Sequence, residues 1–238
     1  MEVSLWCAPQ PHLMAPALAA RYEALLDAGE RERWQRLQLA EDRQRFLLAR
    51  ALVRTVLGRY CEREPQTLRF ATNAWGKPAL CADDLDGPVP HFNLSHTRGM
   101  AVLAVSRQAA VGVDVEHALR EVAAEALTAR FFAPEELQAL QSLPEADRNE
   151  YFFRLWTLKE AYVKALGLGL RIPLDSFVFD LDDAQIHCER REAGAPPLRF
   201  CSLAVAPHFR VGVAVASTLE PVINCFRGLP FEGFVRQT

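Results

Sequence analysis

Lysine is almost missing from this chain. Only Lys77, Lys159 and Lys164 occur among 27 basic residues, and every other one is arginine. A bias toward arginine codons accounts for arginine at ordinary surface sites. The lysines that remain mark places where a compact ammonium serves better than a wide planar fork. Paired cysteines are missing as well. The six cysteines (Cys7, Cys61, Cys81, Cys188, Cys201 and Cys225) form no C-x-x-C motif and have no histidine at zinc-finger spacing. That argues against a metal–thiolate centre and suits small buried hydrophobes in a reducing compartment. No apolar run approaches the roughly 18 residues of a membrane-spanning helix. No basic residue directly follows Met1, and Pro9, Pro11 and Pro16 interrupt the stretch before Ala17–Ala20, so that alanine run does not read as a signal-peptidase site. A cytoplasmic protein with no membrane partner is expected. An excess of positive charge is also absent: a net charge of −3 and a pI near 6.1 provide no global basic field, so nucleic acid is not an expected partner. Phosphorylated small molecules stay open, because they need only a local cluster of cations.

What is present is 238 residues, half of them hydrophobic, enough for one large domain or two small lobes. Apolar periodicity predicts helices across residues 17–63, closed by Gly58 and Pro65, with ten arginines against seven acidic residues between Arg21 and Arg63. Turns are expected at Asn73, Gly76-Lys77-Pro78 and Asp86-Gly87-Pro88. Strands are predicted at Met100–Val105 and Val111–Val115, helix over 119–143 with a start at Pro134-Glu135-Glu136, and a longer helix from Asn149 to Leu166 stopped by Gly167. Further strands follow at 177–181, 198–205 and 211–216. Met100–Ser106 is echoed by Val211–Ser217 at an offset of 111, and Val53-Arg54 by Val163-Lys164 at 110. Two matches at nearly one offset predict an α+β fold of two similar α/β halves, 1–106 and 107–238, with a ligand site in the cleft between them.

Four short constellations carry candidate chemistry. In Val111-Gly-Val-Asp-Val-Glu116, strand alternation puts Asp114 and Glu116 on one face, where two repelling carboxylates suit a hard cation such as Mg²⁺ or simply form an acidic edge. In Trp156-Thr-Leu-Lys-Glu-Ala-Tyr-Val-Lys164, helical spacing puts Trp156, Glu160 and Lys164 near one stripe, which is either functional or a surface ion pair beside a core tryptophan. In His91-Phe-Asn-Leu-Ser-His96, Ser95 and His96 offer donors for a phosphate and Asn93 could brace the loop. A plain polar turn competes with that reading. In Trp75-Gly-Lys-Pro78, Gly76 permits close backbone approach and Lys77 offers a point charge, against the simpler reading of a turn. All three lysines fall inside these segments.

Taken in order, W-G-K-P, F-N-x-S-H, G-V-D-V-E and W-x-x-K-E-A-x-x-K resemble the surfactin-synthetase-type class of 4′-phosphopantetheinyl transferases. The resemblance implies a monomer with a pseudo-twofold axis that moves phosphopantetheine from coenzyme A to a serine of an acyl or peptidyl carrier protein and releases 3′,5′-ADP. Residues 1–106 would be the coenzyme A side, and 107–238 would carry the metal site and the catalytic helix. It further implies that Asp114, Glu116 and Glu160 hold Mg²⁺, that Lys164 contacts the pyrophosphate, and that Ser95 and His96 contact coenzyme A phosphates. Arg45 and the Gly76-Lys77-Pro78 turn would flank the 3′-phosphate and adenine, and Glu160 would act as the base. Two departures concern the 3′-phosphate pocket. Phe46 stands where some relatives carry a phosphate-contacting hydroxyl, and Glu30 where some carry a basic residue, leaving Arg31 or Arg33 to compensate. Two other readings remain open at this level: a Mg²⁺-dependent nucleotide phosphohydrolase, and a non-catalytic module that binds carrier protein or coenzyme A. For a carrier, Leu119, Val122, Leu127, Phe131 and Phe132, flanked by Arg120 and Arg130, form either a docking face or ordinary core.

Overall fold

Val3, Leu5 and Cys7 point to one side of strand β1 (Glu2–Pro9), and Trp6 and Ala8 to the other. Both faces are covered, and β1 is paired along both edges, so it lies inside its sheet. A computed structural model describes residues 1–82, 85, 87–181, 186–190 and 196–237. Asp86, the first residue of the expected Asp86-Gly87-Pro88 turn, lies outside these. Three helices follow β1: α1 (Pro16–Glu23), α2 (Ala28–Arg36) and α3 (Ala40–Cys61). Next come a hairpin of β2 (Phe70–Thr72) and β3 (Pro78–Leu80), then β4 (His91–Thr97) and β5 (Met100–Ser106). The second half runs through β6 (Val111–His117), α4 (Ala124–Phe131), α5 (Pro134–Ser142), α6 (Glu145–Leu166), a hairpin of β7 (Phe177–Leu181) and β8 (Ile186–Arg190), β9 (Leu198–Ala206) and β10 (Phe209–Ala216).

The two halves have the same topology. In the first, the strand order β1-β5-β4 is antiparallel throughout; in the second, β6-β10-β9 repeats it. The long helix α3 packs against β5 in one half, and α6 packs against β6 and β10 in the other. The sheets face each other through Val3, Leu5, Val102, Val113, Val213 and their neighbours, a β-branched layer shared about a pseudo-twofold axis. The final strands β11 (Val222–Leu229) and β12 (Gly233–Arg236) return to the first sheet, where β11 pairs in parallel with β1. Sheet membership therefore departs from chain order at the C-terminus.

A buried cation repeats with the fold. Arg54 on α3 has no exposed side-chain surface. It donates to Glu30 Oε2 at 2.8 Å and to the carbonyls of Pro65 and Leu68 at 3.1 and 3.0 Å. Lys159 on α6, equally buried, donates to Glu136 Oε2 at 2.7 Å and to the carbonyls of Leu174 and Phe177 at 2.6 and 2.7 Å. Each acid also bonds the backbone N–H that opens its own helix, Glu30 at Asp27 and Glu136 at Ala133. A buried charge is tolerable only when its donors are filled, and in both halves they are. The equivalent of Arg54 is thus Lys159, five residues earlier on α6 than the Val163-Lys164 match implied.

The elements depart in places from those expected of the sequence. Residues 119–123 are not helical, α6 begins at Glu145 rather than Asn149, and His91–His96 is a strand rather than a loop. Strands β1, β2, β3, β8, β11 and β12 carried no sequence signal that was recognised. Among the described residues no helix is long and apolar enough to cross a membrane.

Candidate active site

The side chains of β4 join the two halves at backbone level. Asn93 Oδ1 accepts the N–H of Val113 at 2.8 Å, and Ser95 Oγ that of Val115 at 3.3 Å. Strand alternation aims Asn93, Ser95 and Thr97 at β6 and sends His96 to the opposite face. The same alternation puts Gly112, Asp114 and Glu116 on the α6 side of β6. A Cβ on Gly112 would lie 2.1 Å from Ala161 O, and one on Gly212 of β10 would lie 2.3 Å from Thr157 O. Glycine at both positions lets α6 lie directly on the sheet, so Glu160 and Lys164 reach the acidic strand.

Lys164 Nζ donates to Asp114 Oδ1 at 2.5 Å and to Ser95 Oγ at 3.3 Å, while Ser95 Oγ donates to the same Asp114 oxygen at 2.8 Å. Asp114 is 5% exposed, and its second oxygen, Oδ2, is buried with no hydrogen-bond partner. Glu116 accepts from Thr97 at 3.2 Å and has the Arg120 guanidinium at 3.8 Å. Burial raises the pKa of Glu116, and the neighbouring Asp114 adds to the effect. Burial also raises Glu160; Lys164 opposes that, while Asp114 and Glu116 reinforce it. Among the described residues no ready-made cage of three ligating side chains is present. What is present is one Asp114 oxygen without a partner, an ammonium on the other, and Glu116 and Glu160 close enough for the three charges to act on one another. That donor set suits a hard divalent cation.

His96 lies beside this group. The crowding of protein around its ring lowers its pKa, and the positive charges of Arg45, Lys164 and Arg33 add to the effect. Arg45 also pairs with Asp42. Of the two arginines expected to compensate there, Arg33 has its guanidinium 6.0 Å from the Phe46 ring centroid, and Arg31 pairs with Glu23 at 2.7 Å. Glu30 is committed to Arg50 and Arg54 and is structural. A cavity of about 300 Å³ runs from Trp75, Gly76, Lys77 and Pro78 to Glu160 and Lys164. The Lys77 ammonium does not point freely into it; it donates to the carbonyls of Val111 and Ala165, and burial lowers its pKa to about 8. Trp156 packs against the core, its ring tilted against those of Phe132 and Phe152. Sequence reasoning missed Thr97, which reading 91–97 as a strand would have put on the Ser95 face. It also missed the partners of Lys159.

Residues 110–218 match the model of the 4′-phosphopantetheinyl transferase superfamily, and residues 15–108 match that of the 4′-phosphopantetheinyl transferase N-terminal region. The 4′-phosphopantetheinyl transferase HetI of Nostoc sp. is 39% identical over 71% of this chain and 70% of its own length. The 4′-phosphopantetheinyl transferase Sfp of Bacillus subtilis is 32% identical over 82% of this chain and 84% of its own. The chain belongs to the 4′-phosphopantetheinyl transferase superfamily. It is an enzyme, which sets aside the binding-module reading, and the transferase has coenzyme A as its substrate. In this transferase the two matched regions fall in the two halves, and the acidic strand, α6 and the β4 donors lie where those halves meet.

Proposed function

We propose that the transferase is of the surfactin-synthetase type and moves 4′-phosphopantetheine from coenzyme A to a serine hydroxyl of an acyl or peptidyl carrier protein, releasing 3′,5′-ADP. The observation that carries this reading is Asp114, with one oxygen shared by Lys164 and Ser95 and the other buried without a partner, beside Glu116 and Glu160. Asp114, Glu116 and Glu160 would hold Mg²⁺. Bound there, the ion would neutralise charge on the pyrophosphate as the phosphorus–oxygen bond to the nucleotide breaks.

The chain's own residues do the rest. Lys164 supplies a second positive charge to the pyrophosphate, and Ser95 orients that ammonium. Glu160 takes the proton of the attacking serine as the new oxygen–phosphorus bond forms. His96, Arg45 and Arg33 form the basic cluster that suits the 3′-phosphate, and the Gly76–Pro78 turn flanks the adenine. One chain supplies both halves of the cleft, which favours a working monomer, and its substrates favour the cytoplasm. Incubating coenzyme A and Mg²⁺ with and without an apo carrier protein tests the reading. Nucleotide release that requires the carrier is the expected result, and release without it would indicate a phosphohydrolase.

A further inference from the structure

Lys77 sends its side chain out of its own half of the molecule. Its Nζ donates to Val111 O at 3.2 Å and to Ala165 O at 3.0 Å. Val111 opens the strand that bears Asp114, and Ala165 directly follows Lys164. Asn73, at the other end of the same turn, donates from Nδ2 to Gly167 O at 2.9 Å. Its Oδ1 accepts the N–H groups of Trp75 and Lys77, both at 2.9 Å. The Arg171 guanidinium lies over the Trp75 ring at 4.1 Å, adding a third contact across the cleft.

Two of the three carbonyls engaged here, those of Ala165 and Gly167, belong to the last turn and cap of α6. Carbonyls at a helix end lack intrahelical partners and attract cations. The fit is close: a Cβ on Gly167, which has φ of 68°, would approach Lys77 Cδ to 2.9 Å. An ammonium can satisfy two carbonyls converging from different elements, where a planar guanidinium would need more room.

We propose that Lys77 is a positioning residue: with Asn73 it clamps the β2–β3 turn of the first half onto the start of β6 and the end of α6, and so fixes Lys164 against Asp114. Lys77 then acts on the reaction through the separation of the two halves and is not a ligand of the 3′-phosphate. The proposal rests on the transferase reading for its turnover measurements only.

The test compares the full chain with Lys77→Met, Lys77→Arg and Asn73→Ala, using coenzyme A and 3′-dephospho-coenzyme A as alternative donors. Lys77→Met should lower kcat by about tenfold or more, since small misplacements of reacting groups cost that much. The loss should be equal for the two donors, so the preference for coenzyme A is kept. Asn73→Ala should act in the same direction but less strongly, and Lys77→Arg should restore only part of the rate. A loss confined to coenzyme A would make Lys77 a phosphate ligand and overturn the clamp, as would a lowered thermal midpoint with kcat unchanged. If Lys77→Met fails to fold, the other two variants carry the same comparison. Amide hydrogen exchange at residues 111–114 and 164–167 gives a second, activity-free readout. Exchange should be faster in Lys77→Met or Asn73→Ala, and unchanged exchange overturns the clamp. Absence of turnover in the unsubstituted chain counts against the functional reading and leaves the exchange result to decide the clamp.

Discussion

Asp114 is held at one oxygen and left bare at the other. An unpaired buried carboxylate oxygen costs free energy that only a cation or a donor returns, and the residue's value to the protein must therefore lie in what it binds. Asp114→Ala should reduce transfer by about a hundredfold or more, a loss on the scale of removing one preorganised electrostatic group, while circular dichroism stays unchanged. Near-normal turnover at limiting Mg²⁺ would disprove the metal assignment. Lys164→Ala should lower turnover strongly, and Lys164→Arg should recover only part of it, because a guanidinium is wider than the space shared with Ser95 and Asp114. Equal, silent effects of both changes would reduce Lys164 to a surface ion pair. The raised pKa values of Glu116 and Glu160 add a pH signature. Between the ordinary value of 4.5 and the folded value, the native state binds more protons than the unfolded chain, so stability falls as pH rises through that window. Buried Glu136 contributes with the same sign. In metal-free buffer the thermal midpoint should fall as pH climbs above that ordinary value. Glu160→Gln should raise the midpoint at neutral pH while abolishing transfer. A midpoint insensitive to both changes would contradict the electrostatic account of the site.

At the scale of elements, α6 on β6 is the contact that matters. Gly112→Ala would drive a methyl to 2.1 Å from Ala161 O and push the helix off the strand. Overpacking of this kind costs about 1–3 kcal/mol or more, to be read as a lower denaturant midpoint. Turnover should fall further than the stability loss explains, because Glu160 and Lys164 move with the helix. The acidic strand and this helix were legible in the sequence because each has a clean period and a clear stop: Val111, Val113 and Val115 alternate with Asp114 and Glu116, and Gly167 ends α6 in a left-handed cap. Strand β4 was not, because Asn93 and Ser95 are turn-forming residues by local preference, and only the neighbouring β6 makes them donors and acceptors across a strand interface. Strand β11 was illegible for a related reason, since it pairs with β1, more than 200 residues away in sequence, and β12 pairs in turn with β11. Lys159 shows the limit of the lysine argument. Its acceptors are Glu136 and two carbonyls, with no phosphate involved, and an arginine, Arg54, fills the equivalent place in the other half.

At the scale of the molecule, the duplicated topology makes one cleft from two halves, and the carrier protein must bring its serine to it. Of the apolar residues after β6, Phe132 is core, and Val122 and Leu127 pack against core. Leu119 and Phe131 are exposed, with the Arg130 guanidinium over the Phe131 ring at 4.9 Å. Arg120 lies near Glu116, so reversing its charge would disturb that carboxylate as well. Arg130→Glu and Leu119→Ser are the cleaner probes. Each should raise KM for the carrier and leave KM for coenzyme A unchanged; if both constants move together, docking lies elsewhere. The most direct test of the whole account is the intact mass of an apo carrier protein after incubation with this chain, coenzyme A and Mg²⁺. A gain of one phosphopantetheine on the acceptor serine is the predicted result, matched by an equal amount of 3′,5′-ADP and lost with Asp114→Ala. A carrier of unchanged mass, with nucleotide or phosphate released from coenzyme A in its place, would contradict it.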